Sequence, residues 1–420
     1  MLRFTVSWWN RSTMEKKKPV ILTLIRHYLP GYKWGGPVRS IANLVSHLGD
    51  EFDFKIITMD RDFGDDKPYP NIVINAWNTV GKCSVYYVSH SMFSLNRLVK
   101  LIASTPHDIL YLNSLFDPMY TLWPLLNRHM GRIKKGVVIL APRGELSQGA
   151  LALKHLKKNS FLTLAKASGF YRDILWQASS EYEKDDIVQT FEKHLFDVFI
   201  VGNIAQNIFI ASDLSSQYID NAEVIECFAK GCPIRLIFVS RISPKKNLDF
   251  ALRVLGQVTV PVQFNIYGPK EDKVYWQSCE ALINDLPNHI CATYHGGVEH
   301  SKIASIMAQH DLFFFPTRGE NFGHVITEAF SVGIPVLISD TTAWRNLEQV
   351  GVGWDLPLTS ELPFAERIEY CAGLDSQSYS ALRKRVLSYA HKYLIDAQII
   401  VDNRNLFNIV SSTKSSIDWI

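Results

Sequence analysis

The sequence contains no apolar run of about 18 residues, the length that a membrane-spanning helix needs. The first residues, MLRFTVSWWNRSTMEKKKPV, carry only a short, interrupted apolar patch without a small-residue cleavage site, which makes a poor signal peptide. Met14 precedes a lysine run and is a candidate alternative start of translation. We therefore expect residues 1–18 to be a disordered extension of a cytoplasmic protein.

The sequence also lacks the cysteine spacings of zinc sites and of small disulfide-bonded domains. Its six cysteines form no CxxC pair and have no histidine at zinc spacing, which favours a reduced, cytosolic compartment. The net charge of +3 at pH 7 is too small to indicate a nucleic-acid partner. The absence of short-period repeats and low-complexity segments argues against a repeat architecture.

A chain of 420 residues is too long for one ordinary hydrophobic core, so two domains are expected. Apolar strand patterns alternate with amphipathic helix patterns, and the series begins again near residues 226–234. This alternation predicts an α/β fold with two parallel sheets, each covered by helices on both faces. We expect one doubly wound domain over residues 19–228, a second over 229–390, and a helical segment over 391–420.

Two basic residues follow the first predicted strand of the second half, IRLIFVSRIS. Arg241 and Lys246 lie five positions apart in the segment SRISPKKN. Ligands of open α/β sheets bind beyond the carboxyl ends of the strands, and a guanidinium with a mobile ammonium group suits a pair of phosphates. The alternative is an ordinary solvated loop that happens to be basic.

The segment PTRGENFGHVITEAF follows another predicted core strand, DLFFFPT. Asn321 is a candidate cap for the next helix, and Gly323 allows a ligand to approach closely. The free N–H groups and the dipole of that helix start make an anion site. Glu328 is placed to accept hydrogen bonds from two neighbouring hydroxyls, as on a ribose, or else it only balances the helix dipole. Glu320 lies nearer the reacting end, and His324 either faces the ligand or is a plain helix-start residue.

These segments together resemble the retaining glycosyltransferases of family 4, which have the GT-B fold. GENFGHVITEA is similar to the glutamate–seven–glutamate motif of that family, and SRISPKKN to its arginine and lysine phosphate pair. NIYGPKED, YHGGV and DLFFFPTRGENFG resemble further family segments in the same order, so the resemblance spans most of residues 20–390. It implies two Rossmann-like domains facing a central cleft, a nucleotide-sugar donor bound by the carboxyl-terminal domain, no cofactor and no essential metal.

The resemblance assigns roles to the matching residues of this sequence. Arg241 and Lys246 would hold the donor diphosphate and, with Glu320, form the catalytic group, while Glu328 would bind the ribose. The other donor-binding candidates are Asn321, Phe322, Gly323 and His324 at the sugar and phosphate end, Gly268 and Val298 near the base, and Gly35 and Gly36 in the segment YLPGYKWGGPVRS of the facing domain.

One place departs from the family pattern, and another imitates a motif of unrelated enzymes. Many relatives carry a histidine near residues 141–151, where this sequence has Arg143 and Glu145 in APRGELSQGAL. Arg143 is a candidate for binding donor or acceptor and Glu145 for binding acceptor hydroxyls, and the alternative is a local ion pair that shapes the loop. The DRD stretch at residues 60–62 imitates a metal-binding motif, but GT-B enzymes do not use one, so these acids are expected to serve a turn or the acceptor.

The segments APRGELSQGAL and DRDFGDDKPY resemble those of bacterial surface-polysaccharide enzymes. With the family resemblance, this implies retaining transfer to a glycan or polyprenyl-linked acceptor, in O-antigen, capsule or exopolysaccharide assembly. The basic and apolar helix pattern around Lys154–Lys158 is either a surface helix or a peripheral contact with anionic lipid on the inner face of the cytoplasmic membrane. Two alternatives stay open: a GT-B sugar-nucleotide epimerase or hydrolase, and a non-catalytic nucleotide-sugar-binding subunit.

Overall fold

The computed structural model describes residues 18–91, 94–134, 136–152, 155–191, 197–205, 232–394 and 397–417. The expected amino-terminal extension lies outside these residues apart from Lys18, and so does the predicted junction between residues 228 and 229. Within the described ranges, no helix is both long enough and apolar enough to cross a membrane.

The described residues of the amino-terminal half form an eight-stranded sheet in the order β3-β4-β2-β1-β5-β6-β7-β8, in which only β3 runs antiparallel to its neighbour. The strands are β1 (Val20–Leu24), β2 (Asp53–Met59), β3 (Trp77–Val80), β4 (Cys83–Val88), β5 (Ile109–Leu112), β6 (Val137–Leu140), β7 (Leu175–Ala178) and β8 (Asp197–Ile200). The helices are α1 (Gly36–Leu48), α2 (Leu95–Ser104), α3 (Trp123–His129) with a preceding π turn (Pro118–Leu122), α4 (Gln148–Ala152), α5 (His155–Ala167) and α6 (Glu181–Phe191).

The carboxyl-terminal half forms a six-stranded parallel sheet in the order β11-β10-β9-β12-β13-β14. The strands are β9 (Ile234–Val239), β10 (Val262–Tyr267), β11 (Ile290–Gly296), β12 (Leu312–Phe315), β13 (Val336–Ser339) and β14 (Gly353–Leu356). The helical elements are a 3₁₀ turn (Pro244–Lys246), α7 (Leu248–Leu255), α8 (Lys273–Asn284), α9 (His300–Met307), α10 (His324–Ser331), α11 (Leu347–Val350), α12 (Leu362–Ala372), α13 (Ser376–Leu394) and α14 (Ala397–Ile417).

In each sheet the strand order reverses at one point, between β1 and β5 in the first sheet and between β9 and β12 in the second. Loops that leave the carboxyl ends of the strands on either side of such a point diverge, and the crevice between them is where open α/β sheets bind ligands. The prediction of two doubly wound, Rossmann-like domains is confirmed.

The last helix, α14, returns to the amino-terminal domain. The ring of Phe407 packs against the rings of Phe52 and Tyr111, at centroid distances of 5.5 and 5.7 Å. The helical pattern of residues 391–420 was predicted as a separate segment, but amphipathicity alone does not say which sheet a helix covers.

Candidate active site

A cavity of about 350 Å³ lies between the two domains, at the carboxyl ends of the strands that flank both reversal points. The amino-terminal domain lines it with the loops after β1, β5 and β6 and with the start of α1. The carboxyl-terminal domain lines it with the loops after β9 to β12 and with the start of α10. All the predicted site residues line this cavity except Asn321 and Phe322.

Lys246 and Glu320 form an ion pair in the wall that the carboxyl-terminal domain supplies. Lys246 ends the 3₁₀ turn after β9, and Glu320 lies in the loop after β12, the neighbouring strand. Burial opposes ionisation of Glu320, but the charges of Lys246, Lys245 and Arg241 outweigh it and lower the pKa of this carboxyl group. Glu320 is therefore ionised at neutral pH, inside a basic cluster.

Arg241 and Lys245 complete the basic cluster, which is defined here as Arg241, Lys245 and Lys246. The Arg241 guanidinium pairs with Glu271 at 3.0 Å and lies 5.5 Å from the centre of the Trp34 ring in the other domain. A cation over an aromatic face is attracted by the ring, so this contact joins the two walls. Burial, and then the charge of Lys246, lower the pKa of Lys245. Lys245 and Glu271 were not predicted, although Lys245 adjoins Lys246 in SPKKN.

The start of α10 lines the cavity, and the first N–H groups of a helix have no partner within it. Gly323 has φ 73° and precedes the helix without any side-chain cap, so the prediction that Asn321 caps it is wrong. A β-carbon at Gly323 would lie 2.8 Å from the side chain of Ile326 and 3.0 Å from that of Glu320. Glycine is therefore required here for both conformation and space. Asn321 instead accepts a hydrogen bond from Ser179 Oγ of the other domain at 2.7 Å.

His324, the first residue of α10, bonds across the cleft. Its Nε2 lies 2.9 Å from Ser40 Oγ in α1. Burial, with a smaller effect from Arg39, lowers the pKa of His324 to about 3, so its imidazole is neutral at physiological pH. Phe322 does not line the cavity; its ring packs against those of His324 and Trp344, at centroid distances of 4.8 and 5.9 Å. Phe322 therefore supports the loop from behind.

Glu328 meets a basic partner that the sequence did not single out. Its Oε1 forms an ion pair with Arg39 on the first turn of α1, and Nδ1 of His300 lies 3.6 Å from the same oxygen. Its Oε2 is buried and has no hydrogen-bond partner among the described residues. Burial raises the pKa of Glu328 to about 7, although Arg39 opposes the rise. Glu328 thus lines the cavity with one buried oxygen that makes no hydrogen bond.

Glycines allow the backbone to enclose the cavity. Gly35 precedes α1 with φ 77°, and nothing lies within 4 Å of its β-carbon position, so conformation rather than space requires glycine there. Gly36 begins α1 opposite the His324 ring, which would lie 4.0 Å from an added β-carbon. A β-carbon at Gly268 would come within 1.7 Å of the loop after β9, so glycine lets two loops touch. Val298 completes this side of the cavity.

Arg143 and Glu145 follow β6, but they do not form the ion pair that was the alternative interpretation. The Glu145 carboxylate accepts hydrogen bonds from Ser114 Oγ at 2.8 Å and from two backbone N–H groups at 2.6 and 3.0 Å. Burial raises the pKa of Glu145 despite these donors. Both of its oxygens therefore hold the loop after β5. The Arg143 guanidinium donates instead to Tyr111, Asn113 and Asn203.

The DRD stretch at residues 60–62 shapes a neighbouring loop. Asp62 accepts hydrogen bonds from the N–H groups of Tyr32 at 2.7 Å and Lys33 at 3.0 Å. Asp60 pairs with the adjacent Arg61 at 2.8 Å. These carboxylates serve the turn that places Trp34 in the cavity wall.

Comparison with known proteins identifies the architecture. The chain is similar to the structure of sucrose-phosphate synthase from Thermosynechococcus elongatus, with a TM-score of 0.69 at 14% identity, covering 94% of this chain and 100% of that one. The fold is GT-B. Two other GT-B structures are also similar to this chain. HepE of Anabaena, in complex with UDP-glucose, has a TM-score of 0.64 at 17% identity over 95% of this chain and 100% of its own. WaaG, a glycosyltransferase involved in lipopolysaccharide biosynthesis, has a TM-score of 0.63 at 13% identity over 93% and 99%.

Similarity in sequence covers a smaller part of the chain than the structural similarity to GT-B proteins does. Residues 228–370 match the family model described as glycosyl transferases group 1. An uncharacterized 41.2 kDa protein in the cps region of Klebsiella pneumoniae is 26% identical over 111 residues. That match covers 26% of this chain and 28% of the relative, so it spans little more than a quarter of the relative's length. The family match thus lies in the carboxyl-terminal GT-B domain, which carries the basic cluster and α10.

Proposed function

We propose that this protein is a glycosyltransferase that moves a sugar from a nucleoside diphosphate donor to a hydroxyl group of an acceptor. The observation that carries the proposal is the convergence of the basic cluster and the start of α10 on one cavity between two GT-B domains. Basic side chains outnumber acidic ones in the lining, which favours a strongly anionic ligand. The glycosyl transferases group 1 match and the UDP-glucose complex of HepE support the same ligand class.

The basic cluster suits the donor diphosphate. Its cations and the N–H groups of α10 would contact the phosphate oxygens, and more strongly as negative charge develops on the departing nucleoside diphosphate. Glu328 suits the ribose, because its unpartnered Oε2 accepts a hydroxyl hydrogen bond. We place the base beside Gly268 and Val298, which line the same cavity.

The transfer we propose retains the configuration of the anomeric carbon. The bond from that carbon to the donor phosphate oxygen breaks, and the acceptor oxygen bonds to the same face. The acceptor proton passes to the departing phosphate oxygen. His324, with a pKa lowered to about 3, and Glu145, which is engaged by its loop, are poor bases, and we assign Glu328 to the ribose. The ionised Glu320 stabilises the positive charge that develops on the sugar ring.

The proposed reaction requires no metal ion or other cofactor. A bound cation serves other phosphate-transfer sites by neutralising the charge of the leaving group. Here the basic cluster supplies that positive charge. Transfer should therefore continue in excess EDTA, and a loss of activity in EDTA that Mg²⁺ restores would contradict this part of the proposal.

The acceptor we propose is a glycan or polyprenyl-linked glycan of bacterial surface-polysaccharide assembly. The similarity to a protein encoded in the Klebsiella cps region and the fold likeness to WaaG support this class. The acceptor hydroxyl would enter beside the loops after β5 and β6, where the amino-terminal domain lines the cavity.

A lipid-linked acceptor would be reached by peripheral contact with the membrane through α5. Leu156 and Leu164 of this helix are 82% and 69% exposed, and the exposed Lys157 adjoins Leu156. This pattern suits anionic lipid; Lys154 of the same predicted patch lies outside the described residues. In flotation assays, binding to vesicles that contain phosphatidylglycerol should be lost in the double variant Leu156→Asp/Leu164→Asp. Equal flotation of the two proteins would reject the contact.

A donor screen tests the proposed activity. Purified protein is incubated with radiolabelled sugar nucleotides of UDP, dTDP, GDP and ADP, with and without polyprenyl-linked glycan from bacterial membranes. Labelled glycan with a retained anomeric linkage supports transfer. Release of free sugar at the same rate with or without acceptor would indicate a hydrolase, and an epimerised sugar nucleotide an epimerase. Nucleotide binding without any turnover would indicate a binding subunit. Glu320→Gln should keep nucleotide binding and lose turnover.

A further inference from the structure

Arg143 and Lys245 differ from the other basic side chains that line the cavity. The others each form an ion pair: Arg26–Asp117, Lys33–Asp65, Arg39–Glu328, Arg241–Glu271 and Lys246–Glu320. In the part of the chain that the structure describes, neither Arg143 nor Lys245 has a carboxylate oxygen within 4.0 Å. Lys245 belongs to the basic cluster, whereas Arg143 stands apart in the amino-terminal wall.

The Arg143 side chain is held rigidly by uncharged groups. Its Nε and Nη2 donate to Asn113 Oδ1 at 3.2 and 2.7 Å, Nη2 also donates to Tyr111 Oη at 2.7 Å, and Nη1 donates to Asn203 Oδ1. A guanidinium carries five N–H donors, so one N–H of Nη1 is left over. The backbone of Arg143 has φ 57°, a conformation that only a fixed environment maintains in a non-glycine residue. The positive charge is thus held in place without an ion-pair partner; the nearby Glu183 carboxylate binds the backbone N–H of Gly144 and not the guanidinium.

Asn113 supplies a second unused donor beside this charge. Asn113 is 6% exposed and lines the cavity, and its Oδ1 is turned toward Arg143 because a guanidinium can only donate. The remaining amide nitrogen, Nδ2, is buried and has no hydrogen-bond partner among the described residues. A buried amide donor that makes no hydrogen bond is unfavourable, so a ligand oxygen at this point would stabilise it.

The loop of Arg143 also contacts the loop after β12, which carries Glu320 in the other domain. A β-carbon at Gly144 would lie 2.9 Å from the β-carbon of Asn321, the residue after Glu320. The charge of Arg143 also contributes to lowering the pKa of His324 at the start of α10. Arg143 therefore lines the cavity beside the loop of Glu320 and the start of α10, where we place the sugar transfer.

We propose that Arg143 and Asn113 form an anion subsite that binds a carboxylate or phosphate group of the transferred sugar or of the acceptor. The inference rests on the proposed function, because it assigns the donor diphosphate to the basic cluster. Both members of the subsite offer donors and neither offers an acceptor, so an anion with several oxygens satisfies them together. A neutral hydroxyl would leave the charge of Arg143 uncompensated.

Binding measurements on the full-length protein test the subsite. UDP-glucose is compared with UDP-glucuronic acid, and GDP-mannose with GDP-mannuronic acid, to examine the transferred sugar. Glucose is compared with glucuronic acid and glucose 6-phosphate, each with saturating UDP or GDP, to examine the acceptor. Arg143→Gln removes the charge, and Asn113→Asp places a carboxylate against the guanidinium with almost no change of shape. Arg404→Gln is the control: it removes one positive charge as Arg143→Gln does, but from a surface ion pair with Glu51 away from the cavity.

We expect the anionic probe to bind about 10-fold more tightly than its neutral partner, because charge-assisted hydrogen bonds are roughly twice as strong as neutral ones. This preference for the anionic probe should vanish in Arg143→Gln and in Asn113→Asp. Both variants should bind the nucleoside diphosphate as tightly as the wild type does. Arg404→Gln should keep the wild-type preference. A preference within the donor pairs places the anion on the transferred sugar, and one among the free sugars places it on the acceptor. If Arg143→Gln does not fold, the result for Asn113→Asp alone tests the subsite.

Equal binding of anionic and neutral probes, with normal nucleotide binding, would overturn the subsite and leave the proposed function standing. A preference that persists in both variants would do the same. Binding of glucose 6-phosphate that depends on Arg143, without binding of any nucleotide, would keep the subsite and overturn the donor assignment. No binding of any probe would overturn the subsite, and if dTDP-glucose and ADP-glucose do not bind either, the proposed function would fall with it.

Discussion

The pKa values of Glu320 and Glu328 are shifted in opposite directions within one cavity. Burial alone would raise the pKa of each. Around Glu320 three cations outweigh burial and lower its pKa, whereas Glu328 faces one arginine and its pKa rises to about 7. The neighbours that make this difference are Lys246 from the loop after β9 and Arg39 from the other domain. The two glutamates of one sequence motif therefore differ in the pH at which they ionise.

Donor binding should strengthen as pH rises from 6 to 8, because Glu328 ionises in this window. Its folded-state pKa of about 7 means that the acid is mostly neutral at pH 6 and mostly a carboxylate at pH 8. A carboxylate only accepts hydrogen bonds, as two ribose hydroxyls require. His300 and His324, whose pKa values are lowered to about 4 and 3, stay neutral throughout. Calorimetric titration with UDP-glucose should show affinity rising several-fold across this range.

Glu328→Gln is the matched control for this pH dependence. Its affinity for UDP-glucose should be lower than that of the wild type at pH 8 and should not change with pH. The raised pKa has a second consequence: the native ligand-free state binds the extra proton, so its stability should fall as pH rises from about 4 to 7. The variant should lose this slope too. A variant with the wild-type slope would assign the titration to another group.

Lys246→Met should decrease turnover by about 100- to 1,000-fold, because it removes a group that stabilises the departing diphosphate. It also removes the nearest positive charge from Glu320, so the pKa of that carboxyl group should rise. The acid limb of the pH–rate profile should therefore move to higher pH. Lys246→Arg keeps the charge and should keep the acid limb near its original position. An unmoved acid limb in Lys246→Met would show that Glu320 does not control the rate.

At the scale of elements, the sequence predicted the strands that are fully buried. The runs IRLIFV and LFFF predicted β9 and β12, which are central and adjacent in their sheet. Because both strands end at the same edge, Lys246 and Glu320 meet although 74 residues separate them. Two strands were missed: β3 is a half-exposed antiparallel edge strand, and β14 is a short strand that begins with glycine. Neither has the apolar run that identifies a central strand.

Gly323→Ala should decrease the free energy of unfolding by about 1–3 kcal/mol, because alanine is strained at φ 73° and crowds Ile326 and Glu320. The displaced Glu320 should also lower turnover. Gly297→Ala is the matched control: nothing lies within 4 Å of its β-carbon position, so the change should stay within about 0.5 kcal/mol. Urea denaturation of both variants measures the difference, and equal stabilities would contradict the role of Gly323.

At the scale of the whole molecule, side-chain contacts hold the two domains together around the cavity. Arg39 pairs with Glu328, Ser40 bonds His324, and Ser179 bonds Asn321. These contacts depend on how two finished domains dock, which neither strand periodicity nor helix amphipathicity specifies. Arg39 was therefore missed although it lies only four residues after the predicted Gly35. The same limit applies to Asn113, whose unused donor becomes visible only when Arg143 is in place.

Arg39→Met should open the cleft of the ligand-free protein. The ion pair with Glu328 is partly buried between the two domains, so its loss leaves the buried Glu328 carboxyl group with a further raised pKa and no partner charge. The other polar contacts across the cleft are weaker: Ser40 and Ser179 each make a single hydrogen bond that contributes about 0.5–1.5 kcal/mol, and Arg241 lies over the Trp34 ring.

Small-angle X-ray scattering should therefore give a larger radius of gyration for Arg39→Met than for the wild type, and saturating UDP-glucose should bring the two values together. Arg253→Gln, which breaks surface pairs within the carboxyl-terminal domain, should scatter as the wild type does. Identical radii for the wild type and Arg39→Met without ligand would mean that other contacts hold the domains together. In that case Arg39 would act only on the charge of Glu328, and its removal should still raise the pH at which UDP-glucose binding strengthens.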